Sequence, residues 1–304
     1  MPDKRKNRNG ARNIVGSGHK SGAAHQILVN RPYLPGSLPV RVLGLKKVFT
    51  LVILLVLLLL TPALAETVAA KEEIIVSAAA SLTQAMQAVG KAYNAEYNQV
   101  DVIFNFGASG SLLQQLAHGA PVDLFLSANQ AFMDQAAANN LIRKPSRRDF
   151  ARNILVLAVA GHVVAKVHRL SDLTQPAVER VAVGHPDTVP AGRYARQALT
   201  AAGIWTAIEA KLIFCNSVRQ VLDYIRRGEV DAGLVYGSDV RMAKSNVFMA
   251  AVVPTRDAIV YCLAITGACG REKAAQHFLD FILGSKGQNV LSEFGFQKIG
   301  FTKK

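Results

Sequence analysis

Residues 106–116 read FGASGSLLQQL, and they join the apolar run VDVIFNF (residues 100–106) to the start of a helical pattern. A serine on such a strand-to-helix turn serves either as a nucleophile or as a hydrogen-bond donor to an anion. The nucleophile elbow reads G-x-S-x-G. Gly107 and Ser109 match it, whereas Ser111 stands where the last glycine would be. This stretch by itself leaves both interpretations of Ser109 open.

The same alternation of apolar runs and helical patterns continues through residues 66–304. The apolar runs predict eight strands, at residues 73–78, 100–106, 122–128, 154–160, 180–184, 211–214, 232–236 and 258–265. In the helical run at residues 82–97, Met86, Val89 and Tyr93 share one face. Such alternation is typical of α/β layering, and the segment is long enough for two cores of ordinary domain size.

The first 65 residues have a different composition. A basic stretch ends in Lys46-Lys47, then the apolar run VFTLVILLVLLLL (residues 48–60) follows, and after it the small-residue site Ala63-Leu64-Ala65. This order predicts a cleaved signal peptide, because the apolar run is shorter than the ~20 residues of a spanning helix. Most of the net charge of +14 lies in this leader, so residues 66–304 carry no nucleic-acid signature.

The cysteines and histidines do not form a metal pattern. Three cysteines, Cys215, Cys262 and Cys269, stand late in the chain at spacings that do not fit a metal site. Cys262 lies in the run AIVYCLAI and is predicted to be a core residue, while the spacing leaves a bridge to Cys269 open. The seven histidines are scattered, and no cofactor is expected.

Several predicted strands are followed at once by the start of a helix. The residues at these starts are Ser81, Ser109, Ala191, Val218 and Gly237. An ordinary N-cap would explain either serine by itself. Together, at the carboxyl ends of strands where α/β folds bind ligands, the helix starts indicate an anion site. The first N–H groups of a helix lack helical partners, and each start carries about half a positive charge.

At this point the chain resembles a known family, the periplasmic molybdate-binding proteins of ABC transporters. The resemblance is carried, in family order, by AAASLTQAM (78–86), FGASGSL (106–112), GAPVDLFLSAN (119–129), VGHPDTVPAGRYA (183–195), VYGSDV (235–240) and FGF (294–296). It implies the two-lobed type II periplasmic binding protein fold, in which each lobe is a mostly parallel sheet flanked by helices. Two segments would cross between a first lobe of residues 66–147 and 255–304 and a second lobe of residues 148–254.

The resemblance also implies which residues bind the ligand and what role the protein has in the cell. Ser81 and Ser109 would donate from hydroxyl and N–H, Ala191 and Val218 from backbone N–H, and Tyr236 from its phenol. Molybdate would be held through its oxygens with no direct protein–metal ligand, since a dianion of acceptor oxygens suits neutral donors. We expect a periplasmic monomer that binds molybdate and tungstate, catalyses no reaction, and delivers its ligand to a membrane permease and an ATPase.

One position departs from the family pattern, and three alternatives stay open. His185 stands where the family commonly has Asp, which predicts either a surface change or a pH-dependent effect on its loop. The alternatives are a binding protein for sulfate or phosphate, a secreted serine hydrolase using Ser109 or Ser81, and a structural surface protein. A hydrolase needs an orienting base, and only His118 and His185 lie near the candidate loops. We therefore expect Ser109 to be an anion donor.

Overall fold

The computed structural model describes residues 44–60, 71–243 and 245–299. The chain forms two compact units, Met1–Thr67 and Val68–Lys304. In the first unit, helix α1 (Leu45–Leu60) coincides with the apolar run of the leader, and its side chains from Leu45 to Val56 are exposed. Among the residues described, no helix has both the length and the apolarity needed to cross a membrane. The predicted cleavage site lies outside the described residues.

The second unit contains two sheets and the helices around them. Its strands are β1 (Glu72–Ala79), β2 (Val100–Gly107), β3 (Leu124–Ser127), β4 (Arg148–Asn153), β5 (Leu155–Ala160), β6 (Val181–Gly184), β7 (Leu212–Cys215), β8 (Ala232–Tyr236), β9 (Val247–Val253) and β10 (Ile259–Ile265). Its helices are α2 (Thr83–Glu96), α3 (Ser109–Ala117), α4 (Gln130–Ala138), α5 (Pro190–Ala201), α6 (Trp205–Ile208), α7 (Val218–Arg227), α8 (Gly237–Met242), α9 (Glu272–Leu283) and α10 (Ser285–Glu293). Short 3-10 turns include Ala80–Leu82, Lys144–Ser146, Gly161–Val163, Leu170–Thr174 and Glu209–Lys211.

The two sheets share one plan. The first has the order β2-β1-β3-β10-β4 and the second β7-β6-β8-β5-β9. In each, three neighbouring strands are parallel, and the fourth strand is antiparallel to both of its neighbours. All strands but one in each sheet therefore run in the same direction. The predicted α/β fold of two lobes with mostly parallel sheets is confirmed.

Each antiparallel strand enters its sheet from the other lobe. We call the first sheet with α2, α3, α4, α9 and α10 the first lobe, and the second sheet with α5–α8 the second lobe. The chain crosses once at Ile154, between β4 and β5, and again between Val253 and Ile259. Because β4 pairs with β10, the first sheet extends to Asn153, beyond the boundary expected at residue 147. The boundary expected at residue 254 lies in the second crossing.

All eight predicted strands are present, and the structure contains two further strands, both at sheet edges. Strand β4 reads RDFARN, and its charged residues stand among buried ones without a regular period, so its sequence gives little signal. Strand β9 reads VFMAAVV, a continuous apolar run of the kind that predicts a strand, so this strand was predictable from the sequence. Its exposed positions include Phe248, Met249 and Val252.

The predicted core residues are buried. Met86, Val89 and Tyr93 on α2 are each 0 % exposed, as is Cys262 on β10. The three cysteines are free, so the bridge between Cys262 and Cys269 that the spacing left open is not formed in the described part of the chain. Burial raises the pKa of the Cys215 and Cys269 thiols to about 11. These thiols therefore stay protonated and unreactive at neutral pH.

Candidate functional site

A small cavity lies where the two lobes meet, and it has a volume of about 10 Å³. It is lined by the five residues expected from the sequence: Ser81, Ser109, Ala191, Val218 and Tyr236. The other lining residues are small or apolar: Ala79, Ala80, Gly107, Ala108, Ala128, Val189 and Pro190. The structure thus brings together residues from three helix starts, one 3-10 turn and one strand end. Within the described ranges, no charged side chain lines this cavity.

Ser81 is oriented by a chain of hydrogen bonds inside the first lobe. It lies in the 3-10 turn after β1, and its Oγ is 2.9 Å from Tyr261 Oη on β10. Asn153 Nδ2 donates to the same Tyr261 Oη at 3.4 Å. An amide nitrogen only donates, so Tyr261 Oη accepts from Asn153, and either hydroxyl can donate in the Ser81–Tyr261 hydrogen bond. When Tyr261 is the donor, the Ser81 proton is left for an acceptor in the cavity.

Ser109 is oriented in a similar way. It is the first residue of α3 and is 0 % exposed. Its Oγ accepts a hydrogen bond from Ala128 N at 3.0 Å, which leaves its proton available for the cavity. His118 Nδ1 instead contacts Gln114 O at 2.7 Å, and His185 Nδ1 accepts from Asp187 N at 3.4 Å. Neither histidine serves Ser109 as a base, so the geometry favours an anion donor over a nucleophile.

The second lobe presents backbone N–H groups at two helix starts. Pro190 is the first residue of α5 and has no N–H, so Ala191 carries the first amide hydrogen of that helix. Val218 is the first residue of α7, and the Ser217 side chain caps that helix by accepting from Gln220 N at 3.2 Å. The N–H groups of Ala191 and Val218 lie in a first helical turn and so lack intrahelical partners. Both N–H groups therefore lie at the positive end of a helix dipole.

Tyr236 contributes a buried hydroxyl to the site. It is the last residue of β8 and is 1 % exposed. Its Oη is buried and has no hydrogen-bond partner among the described residues. Burial raises the pKa of this phenol well above its usual value, so it remains a neutral donor. A buried hydroxyl without a partner is uncommon in native proteins, and an acceptor bound in the cavity would satisfy it.

Two charged residues lie behind Tyr236, and neither was singled out from the sequence. Asp239 Oδ2 on α8 accepts from Tyr236 N at 3.1 Å. Arg219, which follows Val218 on α7, has Nη2 3.6 Å from Asp239 Oδ1. Burial raises the pKa of Asp239 to about 6, against the opposing charge of Arg219. The spacing Tyr236-x-x-Asp239 is that of a capping box, and this signal could have identified Asp239. No local pattern points to Tyr261 or Asn153.

Contacts between the lobes surround the cavity. Gly110 N on α3 donates to Thr188 O of the second lobe at 2.9 Å. Gly110 needs to lack a side chain, because a Cβ there would lie 2.7 Å from that same carbonyl oxygen. Arg193 Cζ lies 5.0 Å from the centre of the Phe132 ring, again across the lobes. The two lobes are therefore closed on each other in this structure.

His185 lies beside this contact rather than in the cavity. Its side chain is 48 % exposed, and Nδ1 is 3.8 Å from Asp187 Oδ2. The ring packs against Phe214 at a centroid distance of 5.7 Å. The backbone carbonyl of His185 accepts hydrogen bonds from Thr188 N and Val189 N. These bonds are made by the backbone, so they do not depend on which side chain the residue has. The exposed position of the His185 side chain fits the interpretation as a surface change.

Comparison with known proteins supports the resemblance. A model of a family described as bacterial extracellular solute-binding protein matches residues 74–297. The molybdate-binding protein ModA of Escherichia coli (strain K12) is 35% identical over 231 residues, covering 74% of this chain and 88% of that protein. A putative ABC transporter substrate-binding lipoprotein, YvgL, of Bacillus subtilis (strain 168) is 32% identical over 224 residues, with coverage of 73% and 85%.

A solved structure agrees with these relatives. The substrate binding domain of a putative molybdenum ABC transporter from Clostridium difficile has a TM-score of 0.59 and 35% sequence identity. It matches 75% of this chain and 100% of its own. The family expected from the motifs is thereby confirmed.

Proposed function

The chain belongs to the family of bacterial extracellular solute-binding proteins, and we propose that the solute it captures is molybdate, with tungstate as a second ligand. It delivers this ligand to the permease and ATPase of an ABC importer. The protein acts as a periplasmic monomer after its leader is cleaved, with no cofactor and no catalysed reaction. The Escherichia coli relative named for molybdate binding supports this choice of ligand.

The observation that carries the proposal is the convergence of five neutral donor residues on one cavity of about 10 Å³. Pockets for organic ligands are far larger, roughly 300–1,000 Å³. A cavity that holds about one water-sized probe disfavours an organic ligand, an oxyanion would need the lobes to part slightly, and donors without acceptors suit an anion. Molybdate has only acceptor oxygens, so it matches two serine hydroxyls, one phenol and the N–H groups of the helix starts.

The energetics fit a dianion held without a charged side chain. Hydrogen bonds to a charged partner contribute ~1.5–3 kcal/mol each, and the starts of α3, α5 and α7 add their helix dipoles. The cavity is buried between the lobes, so these donors act with little screening by water. Several such bonds together offset the cost of association.

Calorimetric titration of residues 66–304 with molybdate, tungstate, sulfate and phosphate tests the ligand. We expect molybdate and tungstate to bind at least ~10-fold more tightly than sulfate, a gap of ~1.4 kcal/mol. Sulfate has the same charge but is smaller, so it leaves some fixed donors unpaired in the closed cavity. Equal affinities for sulfate and molybdate would make this a binding protein for another tetrahedral oxyanion.

The same preparation tests the two alternatives outside the binding class. A serine hydrolase would be labelled at Ser109 or Ser81 by a serine-reactive phosphonate, and we expect no labelling because Ser109 Oγ is paired with Ala128 N. A structural surface protein would show no change with oxyanions. A ligand-dependent rise in melting temperature excludes that reading, since a ligand that binds only the native state stabilises it.

A further inference from the structure

Arg219 lies at a position where a positive charge is unfavourable. It is the second residue of α7, directly after Val218, and that first turn contains no acidic residue. A cation next to the positive end of a helix dipole is destabilising. Residues that break a local rule of this kind tend to serve another purpose. The contacts of its guanidinium show what that purpose is.

One side of the guanidinium faces Asp239 in the second lobe. Nη2 lies 3.6 Å from Oδ1 of that carboxylate, whose side chain is 0% exposed. This separation is within ion-pair range but longer than a hydrogen bond. Among the described residues, Asp239 Oδ1 and Arg219 Nε are both buried without a hydrogen-bond partner. A small shift of the guanidinium would pair these groups.

The other side of the guanidinium faces the first lobe. Arg219 Nη1 donates to Gln84 Oε1 at 3.5 Å. Gln84 lies in the first turn of α2, the helix that continues directly from the 3-10 turn holding Ser81. A cavity of about 390 Å³ separates the lobes around this contact, and Gln84 and Arg219 both line it. The contact therefore bridges the lobes at the margin of a solvent-filled gap.

We propose that Arg219 is a positioning residue that latches the closed lobes, by joining Gln84 of the first lobe to Asp239 of the second. The inference rests on the proposed function in one respect, that an oxyanion is the ligand. Through Asp239 the latch holds the backbone of Tyr236, and through α7 it holds Val218. Closure onto Gln84 thus brings the donors of the second lobe to the anion and keeps them there.

The latch also balances charge. The Asp239 carboxylate lies directly behind Tyr236, whose hydroxyl faces the cavity. A fixed negative charge so close to a dianion would weaken binding, and the Arg219 charge offsets it. Arg219 thereby allows a cavity lined only by neutral groups to lie beside a buried carboxylate.

Release kinetics test the latch in residues 66–304, which contain the compact unit Val68–Lys304. The molybdate release rate is measured by stopped-flow chase with excess tungstate. Gln84→Ala removes the bridge and is expected to speed release about threefold to tenfold, the effect of one hydrogen bond. Gln84→Glu replaces it with an ion pair and is expected to slow release. Gln87→Glu is the matched control, because Gln87 lies exposed on the same helix, and it should release molybdate as wild type does.

A second pair of variants separates latching from a purely structural role. Arg219→Gln leaves the buried Asp239 without its counter-charge, so both the melting temperature of the ligand-free protein and molybdate retention should fall. Adding Asp239→Asn removes the unpaired charge and should restore the melting temperature. Release should nevertheless stay fast, since the bridge to Gln84 is still missing. Restoration of both properties would reduce Arg219 to a structural partner of Asp239 and overturn the latch.

The remaining outcomes separate the two proposals. Wild-type release by Gln84→Ala, or an equal change in Gln84→Glu and Gln87→Glu, overturns the latch while molybdate binding stands. Sulfate binding at least as tight as molybdate binding overturns the proposed ligand, and sulfate release by the same variants then tests the latch. If none of the four oxyanions binds to the wild-type chain, both proposals fail.

Discussion

The two halves of the site reach the same cavity with different chemistry. The first lobe presents the hydroxyls of Ser81 and Ser109, each already held by a partner in its own lobe, Tyr261 Oη and Ala128 N. The second lobe presents two backbone N–H groups and the Tyr236 hydroxyl, which is buried without a partner among the described residues. The first half is pre-organised, whereas the second carries groups that a bound anion would satisfy.

If the proposed function holds, this difference indicates where the free energy of binding would come from. A hydroxyl whose lone pair is occupied keeps its proton aimed at the cavity, so little ordering is needed when the ligand arrives. A buried hydroxyl with no partner destabilises the ligand-free closed state. The second lobe therefore gains more from the ligand than the first, which favours closure around the ligand over closure without it.

The largest effect on molybdate affinity is expected when a negative charge is placed among the donors of the first lobe. Ser109→Asp should abolish molybdate binding, because it sets a fixed negative charge beside a dianion in a cleft of low dielectric. Some stability should be lost as well, because Ser109 is 0 % exposed and a carboxylate there has no counter-charge, although the start of α3 favours an acidic residue. Calorimetry and a melting curve measure the two effects. Ser109→Asn, which adds bulk without charge, is the control and should retain more affinity. Wild-type binding by Ser109→Asp would place Ser109 outside the site.

The second-largest effect on molybdate affinity is expected from removing the Tyr236 hydroxyl, the side-chain donor of the second lobe. Tyr236→Phe removes one hydroxyl and little else, so molybdate should bind about 10- to 100-fold more weakly, or ~1.5–3 kcal/mol. The ligand-free protein should be as stable as wild type or more so, because the deleted hydroxyl makes no hydrogen bond there. Titration and thermal unfolding without ligand give both values. A loss of stability that matches the loss of affinity would show that the hydroxyl has a partner within the protein, and the contrast between the halves would disappear.

A smaller effect is expected from pH, again in the second half. The pKa of Asp239 is raised from its usual 3.8 to about 6 by burial, so the folded state binds this proton more tightly than the unfolded state does. The stabilisation is fully present below pH 3.8 and is lost as pH rises through about 6. The full shift corresponds to at most about 3 kcal/mol, of which about half, ~1.4 kcal/mol, is lost between pH 5 and pH 7.5.

The measurement compares wild type with Asp239→Asn by denaturant unfolding between pH 5 and pH 7.5. The Asn variant keeps an acceptor for Tyr236 N but cannot titrate, so the difference in unfolding free energy between the two proteins isolates Asp239. We expect wild type to lose stability relative to the variant as pH rises across this range. A constant difference would mean that Arg219 keeps Asp239 ionised throughout.

The smallest effect on affinity is expected at Ala191, which is expected to bind the ligand through its backbone N–H alone. Ala191→Ser changes the side chain and keeps the N–H at the start of α5, so affinity for molybdate should change by less than about twofold, or ~0.4 kcal/mol. Calorimetry under the same conditions as for Tyr236→Phe makes the two directly comparable. A loss as large as that of Tyr236→Phe would mean that the Ala191 methyl group sets the fit of the cavity.

Local patterns in the sequence were enough for much of this molecule. Apolar runs such as EIIVSA and AIVYCLAI determine their strands because their side chains are buried in the middle of a sheet. The starts of helices were predictable because a helix start is a local event, decided by a few neighbouring residues such as Pro190 or Ser217. The choice of the five expected donor residues, in contrast, rested on the resemblance to the family. Strand β4 was not predictable, because RDFARN mixes charged and apolar residues without a regular period, whereas the apolar run VFMAAVV of β9 does carry a strand signal.

What only the tertiary structure decided is how those donors are held. Ser81 and Tyr261 are 180 residues apart along the chain, and they meet because β1 and β10 both flank β3 in the first sheet. Arg219 meets Asp239 because α7 and α8 pack side by side, and it meets Gln84 across the closed lobes. Propensity and capping act over one helical turn, whereas these contacts depend on strand order and lobe position. Local sequence therefore predicts where the helices start, and the orientation of the candidate donors is a property of the folded, closed protein.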